Sequence, residues 1–226
     1  VNNRSALTIS FAVIAAMTAA SVLVLLQLPP GATMPIHWNK DAVPDHAVPA
    51  SYGVFMAPAM AALLTLVFAV LPLFEPRRRN LESSRQFFHA VWIGIILFMA
   101  VIHAMELYAA MHAGVQLGEF VIAAVALLMI LIGNYLGKTR SMFFGGVRTP
   151  WTLSSEYSWQ RTHALAGKLF ILGGAAGFAA ALALPAALAA KILALGIAGA
   201  AVVSVGMSYV YWRNDPDRAA EDAAHQ

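Results

Sequence analysis

The sequence predicts an all-α polytopic membrane protein of about six transmembrane helices with both termini in the cytoplasm. Three observations carry that expectation: an apolar composition, six long apolar runs, and the side on which lysine and arginine fall. Of the 226 residues, 60% are hydrophobic and only 11% charged, against roughly 25% charged in soluble domains. The mean hydropathy is +0.71. A spanning helix needs about 20 apolar residues, so six such helices and their connections fill a chain of this length. There is no cysteine, which excludes disulfides, thiolate metal sites and cysteine nucleophiles. The net charge is +3, but the basic residues sit at helix ends rather than on a soluble face, so no direct nucleic-acid binding is expected.

The first apolar run, Ala6–Leu28, is longer than the 7–15 residues of a signal-peptide core and reads as an uncleaved first helix. Pro29-Pro30-Gly31 stops it, because proline cannot continue a helix and glycine permits the turn. The later spans are Val54–Phe74, Phe87–Met111, Gln116–Leu136, Leu165–Leu184 and Ala186–Trp212, with Pro185 breaking the last two apart. Backbone groups in lipid must be bonded within the segment, so runs of this length are helices. Strand-like alternation is absent, which excludes an outer-membrane barrel.

Orientation follows from the basic residues. With the N-terminus inside, Arg4, Arg77, Arg78, Arg79, Arg85, Lys138, Arg140, Arg148, Arg161, Lys168, Arg213 and Arg218 make twelve inside, against Lys40 and Lys191 outside. Trp151, Trp159, Tyr209, Tyr211 and Trp212 fall near the inner boundary, as an aromatic belt requires. Gly173, Gly174, Gly177, Gly196 and Gly199 in the last two spans read as close helix packing. The chain divides into residues 1–112, with three helices, and 113–226, with three more and a long inner loop at 137–163.

Three places offer chemistry. The outer loop holds His37, Trp38, Asn39, Asp41, Asp45 and His46, without any recognised metal spacing. Its plainer reading is a proline-rich turn folded back on the bilayer; the alternative is peptide or ligand binding. Within the third span, His103 and Glu106 stand i, i+3 on one helix face, where ionisable residues are functional candidates. Both lie near the outer end, so proton relay, a polar helix contact and snorkelling to water all stand open. Gly133-Asn134-Tyr135-Leu136-Gly137-Lys138 fails as a phosphate loop, since its glycines are separated by three residues rather than four. No metal or other cofactor is expected.

The inner loop is the most informative stretch. Long connections tend to be functional or disordered, and one carrying Phe143, Phe144 and Trp151 among Arg140 and Arg148 is too aromatic for disorder. That mixture suits a segment at the lipid headgroups. Ser154 is a reasonable N-cap, with Glu156 in the first turn of a helix that begins near Ser155 and runs through Trp159 and His163 into the fifth span. Arg148, beside the rigid Thr149-Pro150-Trp151 turn and near Glu156, is the candidate for a specific guanidinium contact.

These residues also carry a resemblance. Gly133 to Lys138, Phe143-Phe144-Gly145, Val147 to Glu156, Trp159, Thr162-His163 and Gly167 resemble the signature of SdpI-type bacterial immunity proteins. Pro35-Ile36-His37-Trp38-Asn39 with Pro44-Asp45 looks like the membrane domain that often precedes it, although Ala42 stands where that family usually has glycine. The likeness spans Leu7 to Trp212. It implies a six-helix inner-membrane protein that protects its producer from a secreted toxic peptide. In the best-known case such a protein also holds a transcriptional repressor at the membrane.

The expectation is therefore an inner-membrane immunity or signalling protein that acts by binding, without catalysis. The resemblance implies that a toxic peptide would meet His37, Trp38, Asn39 and Asp45 from the periplasm or bilayer. A cytoplasmic partner would meet the inner-loop set, Asn134, Lys138, Arg140, Arg148, Thr149, Pro150, Trp151, Ser155, Glu156 and His163. Two rivals remain: a small transporter or channel using His103 and Glu106, and a membrane enzyme using His37 and Asp45 as metal ligands.

Overall fold

The computed structural model describes residues 2–38, 44–112, 114–115 and 117–218. Six helices are long and apolar enough to cross a membrane: α1 (Arg4–Leu25), α2 (Ala50–Phe74), α4 (Arg85–Met111), α5 (Gly118–Leu136), α7 (Glu156–Ala183) and α8 (Ala186–Arg213). Two short helices, α3 (Arg78–Ser83) and α6 (Pro150–Ser154), lie in connections. A two-stranded antiparallel hairpin, β1 (Thr33–Trp38) and β2 (Pro44–Pro49), joins α1 to α2. The all-α class and the six expected spans are present. The hairpin corrects the expected proline-rich turn: it pairs Met34 with Val48 and His37 with His46, with irregularities on either side of His37.

The spanning helices run alternately up and down. α1, α2 and α4 pack on one another, α5, α7 and α8 do the same, and α4 meets α5. Phe68 of α2 stacks on Trp92 of α4 at 5.6 Å, and the Trp92 indole N–H donates to Ser10 of α1 at 3.0 Å. The α5–α7 crossing is set by Gly133 and Gly167: a Cβ on Gly133 would lie 2.7 Å from the Gly167 carbonyl oxygen. Small residues there permit backbone contact, the usual means of packing where lipid supplies no hydrophobic drive between helices. Gly173 and Gly196 play the same part between α7 and α8.

Alternation puts the hairpin and the α4–α5 and α7–α8 connections at one end. The α2–α4 and α5–α7 connections lie at the other, with the start of α1 and the end of α8: His89 of α4 meets Asn3 at 3.1 Å, and Ser155 meets Asp215 beyond α8 at 2.5 Å. This second end carries Arg77, Arg78, Arg79, Arg85, Lys138, Arg140 and Arg148 and is the basic end of the bundle. Met34 of the hairpin is buried against Val54 and Leu107 at the opposite end, which seats the hairpin on the bundle.

Candidate functional site

The loop from Gly137 to Ser155 at the basic end is held on three sides. From the α2–α4 connection comes Glu75, which caps the end of α2 and is 1% exposed. Its carboxylate accepts the backbone N–H of Phe143 with both oxygens at 3.0 Å, that of Phe144 at 3.0 Å and that of Arg77 at 3.0 Å. A buried anion is tolerated only when it is fully hydrogen-bonded, and charge-assisted bonds of this kind are the strong ones. Arg77 reaches across to Ser141 Oγ and to the Leu153 carbonyl at 2.9 Å. Asn80 donates to the Ser141 carbonyl at 2.7 Å, and the Arg140 N–H donates to Ser84 Oγ at 2.8 Å.

Beneath the loop lies His163 of α7, fully buried. Its Nε2 accepts the Val147 N–H at 2.8 Å, so the ring proton sits on Nδ1, which donates to the Trp159 carbonyl at 2.7 Å. The imidazole stacks on Trp159 at 3.9 Å. Gly146, immediately before Val147, has φ +93°, and any Cβ there would run into the His163 ring. Trp159 donates its indole N–H to Thr139 at 3.1 Å. It is wholly buried, which corrects its expected place in the interfacial aromatic belt.

The third side is α8. Thr149 opens α6 with a reciprocal capping box to Thr152, and its hydroxyl meets Ser208 at 3.0 Å. Ser155, not Ser154, caps α7: it accepts from the Ser158 N–H at 2.9 Å and donates to Asp215. Ser158 donates to the Ser208 carbonyl at 2.8 Å, and Trp151 meets Tyr209 edge-on at 5.1 Å. The loop is therefore a fixed plate rather than a flexible basic tether.

What the plate leaves outward differs from the expected arrangement. Arg148 does not meet Glu156; it donates to the Phe143 carbonyl at 2.6 Å and lies over the Phe143 ring at 5.5 Å. Glu156 pairs instead with Arg140 at 3.4 Å. Phe143, Phe144, Arg140, Arg148, Pro150 and Glu156 are exposed, whereas Thr149, Ser155 and His163 are buried and serve the plate itself. Asn134 is exposed on α5 one turn before Lys138. A cavity of about 390 Å³ beside the plate is lined by Lys138, Arg140, Tyr157, Gln160 and Arg161 among others. Glu75, Arg77 and Asn80, which organise the plate, were missed by sequence reasoning. A lone acidic residue between the Pro72 turn of α2 and the arginine run was the available signal.

At the opposite end, Asp45 and His46 are exposed on β2. The backbone of His37 and Trp38 lies in β1, their side chains and Asn39 being outside the described residues. His103 does not snorkel: it is 2% exposed. Pro58 inside α2 lacks the N–H that would bond the Val54 carbonyl. Ser21 of α1 donates to that carbonyl at 2.5 Å, and His103 Nε2 meets Ser21 Oγ at 3.0 Å. Nε2 also faces the Met17 carbonyl at 3.3 Å, which assigns the ring proton to Nε2 and leaves Nδ1 without a hydrogen bond, 3.9 Å from Glu106.

Six apolar antiparallel helices with one hydrogen-bonded inter-helix plate define a multi-pass membrane protein embedded in a lipid bilayer. Residues 138–211, which contain most of the plate, all of α7 and most of α8, match the model of the SdpI/YfhL protein family. The chain is also 20% identical over 166 residues to "Immunity protein SdpI" of Bacillus subtilis (strain 168), covering 74% of this chain and 76% of that protein. Over residues 138–211 the chain is thus similar to the SdpI/YfhL protein family, and its six apolar helices are those of a multi-pass membrane protein. No solved structure matches it significantly.

Proposed function

We propose that the protein is an immunity protein of the cytoplasmic membrane, protecting its cell from a secreted toxic peptide by binding rather than by catalysis. The observation that carries this reading is the plate. Its buried residues fix the loop through side-chain hydrogen bonds, and its exposed ones offer two aromatic rings beside two guanidinium groups, a surface suited to protein recognition. The likeness to an immunity protein supplies the biological role. The basic end faces the cytoplasm, following the distribution of lysine and arginine. The toxic peptide is met at the hairpin end or within the bilayer, through His37, Trp38, Asn39 and Asp45. The plate meets a cytoplasmic partner such as a transcriptional repressor. Residues 1–112 carry the hairpin and 113–226 the plate, which Glu75, Arg77 and Asn80 of the first half help to hold.

The test exchanges one guanidinium. Lysine lacks the planar fork and the ring stacking of arginine, so Arg148→Lys keeps the charge while losing the joint contact to the Phe143 carbonyl and ring. The assay is survival of cells lacking the Bacillus subtilis immunity protein, expressing this chain and exposed to the peptide that protein counters. Wild type and Arg78→Lys should protect; Arg148→Lys should signal or protect poorly at normal membrane abundance. No protection by the wild-type chain would remove the immunity reading, and full activity of Arg148→Lys would remove the plate's role. A second reading, proton-coupled transport, keeps one observation, the unbonded Nδ1 of His103 facing Glu106.

A further inference from the structure

A cleft of about 850 Å³ opens at the basic end between the start of α1, the start of α4 and the end of α5, away from the plate's exposed rings. Arg4, Arg85 and Lys138 line it, one from each of these three places, together with His89 and Tyr135. None of its described lining residues is acidic. Glu82 lies 3.9 Å from Arg85 in a pair about half exposed on both sides, where solvent screening leaves such an interaction weak. The walls are fixed: His89 Nε2 meets Asn3 Oδ1 at 3.1 Å, tying α1 to α4, and the Lys138 ammonium sits over the Tyr135 ring at 5.2 Å. Deeper along α4, Ala90 and Ile93 turn the lining apolar toward the bilayer core.

Topology alone needs basic residues only somewhere in a loop. It does not require three cations from separate elements to converge on one cavity. Nor does it need that cavity to run from a charged mouth to an apolar wall. We propose that this cleft binds the phosphate of an anionic phospholipid headgroup, with Arg4, Arg85 and Lys138 around the phosphate and the first acyl carbons along Ala90 and Ile93. Basic pockets between transmembrane helices hold anionic headgroups in this manner, and guanidinium matches phosphate oxygens in a two-pronged contact. A free phosphate has the same charge chemistry, but it would leave most of this volume and the whole apolar wall unused.

The test uses the full chain. In nanodiscs, phosphatidylglycerol added to phosphatidylcholine should raise the thermal midpoint of the wild type, and native mass spectrometry should find phosphatidylglycerol retained. Inorganic phosphate in detergent should give neither effect. Arg85→Gln with Lys138→Gln should weaken retention by roughly fivefold for each charge removed; Lys138→Arg should preserve it, as should the control Arg213→Gln on the far helix. If the double variant misfolds, Lys138→Gln alone gives the same reading at lower amplitude. Equal retention by wild type and the charge-removed variants overturns the proposal. A shift from phosphate without one from phosphatidylglycerol overturns its lipid form.

Discussion

The Glu75 carboxylate and the Phe143 backbone N–H meet across 68 residues of sequence, both carboxylate oxygens lying 3.0 Å from the nitrogen. This contact joins the α2–α4 connection to the inner plate, and it does so with a buried charge whose other neighbours are also backbone donors. Glu75→Gln replaces one acceptor oxygen by an amide NH2, a donor that would face N–H groups. A hydrogen bond to a charged group is worth about 1.5–3 kcal/mol, so the variant should unfold at lower temperature in detergent. Its 140–149 segment should also become open to limited proteolysis. Wild-type cleavage rates in Glu75→Gln would show that the plate is held without it.

Gly146 is the second point of weakness. Its positive φ and the His163 ring facing its absent side chain both forbid a Cβ. Forcing a non-glycine residue into such a backbone state costs about 1–3 kcal/mol, before the clash is relieved by breaking the Val147–His163 hydrogen bond. Gly146→Ala should therefore lower the yield of folded protein and its thermal midpoint. Gly199→Ala, where nothing lies within 4 Å of a new Cβ, should not. Indistinguishable midpoints for the two variants would contradict this account.

The cluster at Ser21 separates a structural role from transport. Ser21 satisfies the Val54 carbonyl that Pro58 leaves open, and a buried acceptor without a partner costs about 1–3 kcal/mol. Ser21→Ala should destabilise by that order. Pro58→Ala restores the helical N–H and should recover much of the loss in the double variant, a non-additive cycle of the kind expected for residues sharing one hydrogen-bond network. If His103 and Glu106 instead form a proton pathway through Ser21, activity would stay lost in the double variant while stability returned.

The proposed orientation is open to labelling, because the chain has no cysteine of its own. Single cysteines at Ser51, Ser83 and Ser154 lie on exposed positions; Ser141 is unsuitable, being buried against Arg77 and Asn80. An impermeant thiol reagent applied to intact spheroplasts should reach Ser51→Cys alone. Reaction at Ser154→Cys under those conditions would invert the assignment.

The legible part of this protein was whatever depends on composition summed along a segment. Six apolar runs of helical length, their proline and glycine breaks, and the close packing of Gly173, Gly174, Gly177 and Gly196 could be read directly, since lipid demands that each span satisfy its own backbone; Gly199, expected in the same packing, has nothing within 4 Å of an added Cβ. A helix beginning near Ser155 was likewise a local signal, whereas Thr149-Pro150-Trp151, read as a rigid turn, opens the short helix α6. The hairpin was not, because β1 and β2 are short and rich in proline, and their pairing depends on Met34 finding a seat against Val54 and Leu107.

The partners of individual polar groups lay beyond the sequence. Arg148 and Glu156 stand near each other along the chain, yet Glu156 chose Arg140 and Arg148 chose Phe143. Trp159 and His163 face inward although both flank a membrane boundary, and Glu75 organises a loop that begins more than sixty residues later. Sequence by itself determined the number of spans, their breaks and the charge asymmetry of the two ends, because each is a sum over neighbouring residues. Only the tertiary structure decided which buried donor met which acceptor, because a hydrogen bond depends on angstrom-scale approach between segments whose separation along the chain carries no information about that distance.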